Sequence, residues 1–248
     1  RSGERLPGIM YIHGGPTSQF NDTFQQQVQF LVRQGYVVLL PNIRGSSGYS
    51  KTFEDANNGC WGHCDLQDVL AGVDYLKTLP YVNPHKMGIT GTSYGGCMSI
   101  AAVAFAPGVF QASIPASGYG DWIHFYHEQE LRHIKLMDYE FGPLAENEEV
   151  YRRNSPIFHV RDVSTPTFLI HGEGKFPGSV ASHNFAKELE KDYKVFRHKP
   201  YPNENYYIRN RENVRQMLLD IAEFLDLHLK DMVVPATASG TSVSATGG

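Results

Sequence analysis

The chain has 248 residues, is 41% hydrophobic, and carries a formal net charge of −4 from 22 basic and 26 acidic side chains. That is enough apolar material for one large core, and the charge balance offers no basic face for nucleic acid. The sequence has no run of about 18 apolar residues, so no membrane span is expected.

Six short apolar runs alternate with longer amphipathic segments: GIMYI (8–12), VVLL (37–40), MGIT (87–90), ASIPA (112–116), TFLI (167–170) and KVFRHKPY (194–201). This alternation predicts an α/β fold, with a mostly parallel central sheet and helices on both faces. After the second run, Asp65 reads as the N-cap of LQDVLAGVDYLKTL, where Leu66, Val69, Leu70, Val73 and Leu76 recur at helical spacing. The segment from Asp121 to Pro156 is rich in aromatic residues and inserted between two strands, a position suited to lining a substrate pocket. A last helix is expected over about 211–230, with Val214, Met217, Leu218, Ile221, Phe224 and Leu225 on its stripe and His228 next. Residues 1–233 therefore read as one domain, while 234–248, made of Ser, Thr, Gly and Ala with little else, reads as a disordered tail.

The stretch GITGTSYGGCM (88–98) carries the chemistry. Gly91-Thr-Ser-Tyr-Gly95 fits G-x-S-x-G, in which a serine sits on a sharp strand-to-helix turn and small neighbours let the two elements approach. Ser93 is thus the candidate nucleophile. Cys60, Cys64 and Cys97 are too few for a disulfide scaffold and lack C-x-x-C spacing. They read as free thiols in a reducing, cytoplasmic setting. His124, His127 and His133 cluster with Glu128 and Glu130, but H-E-x-x-H would need histidine where Leu131 stands. A solvated helix face is expected there, and neither a metal nor a cofactor is implied.

The ordered motifs HGGP (13–16), PNIRGSSGYSKTF (41–53), WGHCDLQDV (61–69), GTSYGG (91–96), ENEEVYRRNSPI (146–157), HGEG (171–174) and YPNE (201–204) together resemble one known domain. The chain is similar, over roughly residues 5–230, to the catalytic domain of the prolyl oligopeptidase family, α/β-hydrolases that include dipeptidyl and acylaminoacyl peptidases. The resemblance implies the α/β-hydrolase fold and Ser93 as nucleophile. It further implies an oxyanion hole formed by the His13 side chain and the backbone N–H of Tyr94. Arg44 to Tyr49 and Trp61-Gly62 match loops that support the site, with Arg44 either paired to a carboxylate or simply structural. Asp121, Trp122, Phe125, Tyr126, Tyr139 and Phe141 fall where the family builds part of its acyl pocket. The β-propeller that the family commonly carries has no counterpart in these residues.

In α/β-hydrolases the triad runs serine, acid, histidine. By the resemblance, the acid belongs to an H-G-x-x-D loop, where this chain has His171-Gly-Glu-Gly-Lys175, so Lys175 holds that place. The histidine follows Y-P-x-E-x, and Tyr206 holds its place. A phenol with a pKa near about 10 is a poor base at neutral pH. Loss of the base typically costs about 10⁴ to 10⁶ in turnover. The expectation is a serine hydrolase of peptide or small acyl substrates with impaired catalysis, or alternatively an inactive pseudo-peptidase that binds a peptide or protein partner. Two rescues are conceivable: Glu173 working with His171, His183 or His198, or a tyrosinate base at Tyr206 promoted by Lys175.

Overall fold

A computed structural model describes residues 4–128 and 131–230, so Glu130 and the tail expected over 234–248 lie outside the described residues. All six apolar runs form strands: β1 (Leu6–Ile12), β2 (Val37–Leu39), β3 (Val82–Thr92), β4 (Ala112–Ala116), β5 (Thr167–Gly172) and β6 (Phe196–Tyr201). The helices are α1 (Gln26–Arg33), α2 (Lys51–Glu54), α3 (Cys64–Thr78), α4 (Tyr94–Phe105), α5 (Trp122–His127), α6 (Leu131–Phe141), α7 (Leu144–Arg153), α8 (Pro177–Lys191) and α9 (Arg211–Leu229). The sheet order is β2-β1-β3-β4-β5-β6 and every neighbouring pair is parallel. Parallel neighbours need long crossovers, which the helices supply.

Side chains alternate across each strand, and β1 displays the result. Ile9 packs with Leu31, Tyr36, Phe224 and Leu225 beneath α1 and α9, whereas Met10 and Ile12 pack with Leu66, Val69, Val73 and Met98 beneath α3 and α4. Farther along the sheet, Leu169 meets Ile100 and Val103 of α4 and Phe185 and Leu189 of α8. Residues Tyr94–Ala104 of α4 are buried without a break, the pattern of a helix enclosed on all sides.

The winding direction decides where a crevice opens. The chain passes outward from β1 to β2, then returns past β1 to reach β3. The carboxyl ends of β1 and β3 therefore flank the reversal, where open α/β sheets bind their ligands. His13 and Gly14 leave the first of these ends, and Ser93 leaves the second.

Two local expectations are corrected. Asp65 is the second residue of α3, not its cap; His63 occupies that place. Its buried carboxylate instead accepts a hydrogen bond from Gly62 N at 2.8 Å and others from distant partners, which local spacing does not reveal. Cys60 and Cys64 are joined in a disulfide with Cα atoms 5.6 Å apart, so only Cys97 is a free thiol. The turn entering α3 brings the two sulfurs together, and the argument for a reducing compartment falls with the correction. No helix of the described residues is long and apolar enough to cross a membrane.

Candidate active site

Ser93 adopts φ 61° and ψ −121°, a backbone conformation that non-glycine residues rarely hold and that marks a nucleophile elbow. The neighbouring glycines make the turn possible. A Cβ on Gly91 or Gly95 would collide with the Ile12 carbonyl oxygen, because the start of α4 passes directly over the end of β1. The serine backbone is tied on both sides: its N–H donates to Ala116 O at 3.0 Å, and its carbonyl accepts from Cys97 N at 2.9 Å. Tyr94 is the first residue of α4, so its N–H is one of the donors that the helix itself leaves unpaired.

The turn after β1 comes to the same place. A Cβ on Gly14 would stand 3.4 Å from Ser93 Cβ and 3.9 Å from its Oγ. Gly15 has φ +126° before a cis bond to Pro16, and only glycine holds that angle at little cost. Gly15, Ser93 and Tyr94 share a cavity of about 460 Å³.

The His13 imidazole does not fit the role expected of it. Its Nδ1 lies 2.7 Å from Gly14 O and its Nε2 lies 2.8 Å from Ser46 Oγ. A carbonyl only accepts, so Nδ1 carries the proton and Nε2 accepts from the serine hydroxyl. Burial also lowers its pKa, which keeps the ring neutral. With both nitrogens engaged, no proton remains for an oxyanion. The ring instead fixes the turn, packing edge-on against Phe20 and reaching the loop that Arg44 anchors. Arg44 Nε and Nη2 grip both oxygens of Asp68 at 2.9 and 2.7 Å, the carboxylate pairing foreseen as one of its two roles.

Asp65 lies behind the elbow. The Tyr94 hydroxyl donates to its carboxylate, joined by Asn57 Nδ2 at 3.3 Å and Gly62 N at 2.8 Å. Desolvation pushes the Asp65 pKa up to about 6 and the Tyr94 phenol well above its ordinary range. This fully buried acid therefore anchors both the residue after Ser93 and the loop that carries Trp61.

Tyr206 and Lys175, expected at the base and acid positions, have different surroundings in the structure. Tyr206 reaches Ser93, which pulls its phenol pKa down, but burial outweighs that effect and pushes it up to about 12. Phe176 and Tyr207 pack edge-on against its ring. Lys175 is exposed and is not among the groups acting on the Tyr206 phenol, so the lysine-promoted tyrosinate is not assembled. Glu173 is exposed as well. His171 Nε2 lies 2.7 Å from His198 Nε2, and its Nδ1 lies 2.7 Å from Gly172 O. His183 stacks obliquely on His198 with ring centres 5.6 Å apart. These three histidines bond and pack with one another, and the contacts described for them do not run to Ser93.

Apolar rings form the cavity wall. Trp61, Tyr119, Trp122, Phe125 and Met137 line it, with Trp61 and Trp122 in edge contact at 5.1 Å. Trp122 and Phe125 came from the aromatic insertion as expected. Tyr126 and Tyr139 instead donate to Asp138 and Asp55. The lining role of Tyr119, Met137 and Cys97 had no signal in the sequence beyond their apolar character. Burial pushes the Cys97 thiol to about 12, which makes it packing material rather than a nucleophile.

Comparison with known proteins identifies the family to which this fold belongs. A sequence model of the prolyl oligopeptidase family matches residues 22–232. The uncharacterized peptidase YuxL of Bacillus subtilis is 31% identical over 233 residues, which covers 90% of this chain and 35% of that protein. Dipeptidyl peptidase family member 6 of Caenorhabditis elegans is 28% identical over 229 residues, covering 88% of this chain and 30% of that one. Among solved structures, the Pyrococcus horikoshii acylaminoacyl peptidase superposes with a TM-score of 0.85 at 27% identity, covering 94% of this chain and 38% of that one. An acylaminoacyl peptidase in complex with Z-Gly-Gly-Phe-chloromethyl ketone gives 0.85 at 28% identity, with the same coverage. The chain thus spans about a third of the length of the curated relatives it matches. With its six-stranded parallel sheet and its elbow serine, the chain belongs to the prolyl oligopeptidase family.

Proposed function

We propose that this domain is a serine hydrolase of the prolyl oligopeptidase type, acting on peptide or small acyl substrates through Ser93, with turnover held down by Tyr206 and Lys175. One observation carries the reading: Ser93 is held in the elbow conformation at the wall of an aromatic cavity, beside the first N–H of α4. Its Oγ would attack the acyl carbonyl. The oxygen that becomes negative would then lie against the Tyr94 N–H and a backbone N–H of the Gly14-Gly15 turn, which takes the place of the His13 side chain. An apolar side chain on the acyl part would pack among Trp61, Trp122 and Phe125. A similar acylaminoacyl peptidase was solved with Z-Gly-Gly-Phe-chloromethyl ketone, a peptide ligand with an apolar side chain, which accords with this reading.

The weak point is proton transfer. A phenol pushed to about 12 stays protonated at neutral pH, so Tyr206 offers Ser93 no base. A rate about 10⁴ to 10⁶ below that of an intact triad follows. Covalent labelling by a fluorophosphonate probe, with Ser93→Ala as control, is the direct test. Slow labelling lost in the control supports the hydrolase reading, and the combined change Tyr206→His and Lys175→Asp should then accelerate ester hydrolysis. The neutral phenol against Ser93 also favours a second reading, a peptide-binding pseudo-peptidase. That reading is selected if folded protein is never labelled yet still binds an apolar peptide.

A further inference from the structure

The disulfide lies at the edge of this cavity. Cys60 and Cys64 flank Trp61, whose indole is cavity wall and contacts the rings of Tyr94, Trp122 and Phe141 at 5.2, 5.1 and 5.0 Å. Trp61 itself is buried, whereas both cysteines are partly exposed and within reach of a reductant. The bridge closes a ring across a sequence separation of four. So small a ring removes less freedom from the unfolded chain than a long loop would. What the ring does constrain is the path of the backbone through Trp61.

We propose that Cys60–Cys64 is a reversible redox clasp on the substrate cavity: closed, it pins Trp61 as a wall, and opened by a dithiol it loosens that wall and alters which acyl groups fit. A thiolate of the dithiol attacks Cys60 Sγ, the S–S bond breaks, and Cys64 leaves as a thiolate. Its second thiol then attacks the mixed disulfide, releases Cys60 and closes its own disulfide. Two electrons pass to the bridge, two protons complete the thiols, and the dithiol is oxidised in balance. Cys64 suits the leaving role because it is the first residue of the fifteen-residue helix α3, where the unpaired N–H groups favour a negative sulfur. The response is graded rather than all-or-none, since other ties remain. Gly62 N still bonds Asp65, His63 Nε2 lies 2.9 Å from Arg153 O, and Asn154 Nδ2 reaches Gly59 O at 3.1 Å.

The chain has 2 tryptophans, Trp61 and Trp122, and both stand in this wall, so tryptophan emission excited selectively over the 14 tyrosines reports on the cavity. Air-oxidised and dithiothreitol-reduced protein would first be alkylated under denaturing conditions and weighed. Acrylamide quenching and fluorophosphonate labelling would then be measured in each redox state, with Cys60→Ser/Cys64→Ser as the permanently open form. The expected result is that only Cys97 is alkylated in the oxidised protein. Reduction should raise quenching and change the labelling rate several-fold, and the double variant should match the reduced state and ignore dithiothreitol. Alkylation of all three cysteines in the oxidised protein, or identical quenching in the two states, would overturn the clasp. The idea rests on the hydrolase reading only for calling the contents of the cavity substrate. If the probe labels neither state, that reading fails, while quenching still decides for or against the clasp.

Discussion

Replacing Asp65 with Asn probes the acid beneath the elbow. Asp65 is 0% exposed, and burial raises its folded-state pKa to about 6 despite hydrogen bonds from Tyr94, Asn57 and Gly62. A carboxyl group whose folded pKa is raised contributes stability that is fully present below its unfolded pKa and is lost as pH rises through the folded value. The window therefore runs from about 4, the unfolded value, to about 6. Integrating the linkage between about pH 4.5 and about pH 7.5 gives about 2 kcal/mol of stability lost across that range. Asparagine has nearly the same shape and no proton to release, so the variant lacks this slope. Urea unfolding of both proteins at the two pH values is the assay, followed by circular dichroism. The stability gap should move by about 2 kcal/mol in favour of Asp65→Asn at the higher pH, equivalent to about 4–8 °C in melting temperature. A gap that stays constant across the range would refute a titrating carboxyl at this site. Tyr94→Phe offers a second check: losing the phenol donor should shift the same transition to higher pH, because that hydrogen bond favours the ionised acid.

Gly95→Ala should cost at least about 1–3 kcal/mol, since its Cβ would enter the space of the Ile12 carbonyl; chemical denaturation measures the loss, and a neutral result would contradict the close approach of α4 to β1. His198, whose pKa burial and His171 lower to about 4, contributes stability present above its unfolded pKa of about 6.5 and lost as pH falls through about 4. His198→Gln should therefore move the acid-unfolding midpoint to lower pH, as read by circular dichroism; an unchanged midpoint would mean that the histidine pair does not matter. Trp61→Ala removes three ring contacts and should cost about 3–5 kcal/mol while weakening binding of an apolar peptide chloromethyl ketone. Calorimetry and a binding titration read the two effects separately.

The central strands were legible because a parallel strand covered on both faces reads as a short apolar run. Strand β6, at the sheet edge and only partly buried, carries Arg197, His198 and Lys199 and was marked by its position in the alternation instead. The early part of β3 was not legible, since Asn83-Pro-His-Lys86 is polar; that segment joins the sheet through the pairing of Val82 with Leu6. A fixed motif register carries both Ser93 and Tyr206, and the two side chains meet in the structure. What escaped depends on partners far away in sequence. Asp65 looked like a cap until its bond to Tyr94, 29 residues later, was seen, and His13 looked like a donor until Ser46 claimed its second nitrogen. The disulfide escaped for a geometric reason: a separation of four residues closes a bridge only when the turn carrying it brings the sulfurs together.

The unbroken burial of α4 has a consequence for how this site bears substitution. Amide protons bonded within the body of a helix enclosed on every side exchange mainly when much of the domain opens, which ties the support of the serine to the stability of the core. Lys175, by contrast, sits in an exposed loop, and Tyr206 in a segment that follows the last strand. Substitutions there leave the core intact, whereas a change at Gly91 or Gly95 disturbs it directly. In such a scaffold the shape around the serine does not depend on which side chains stand at positions 175 and 206.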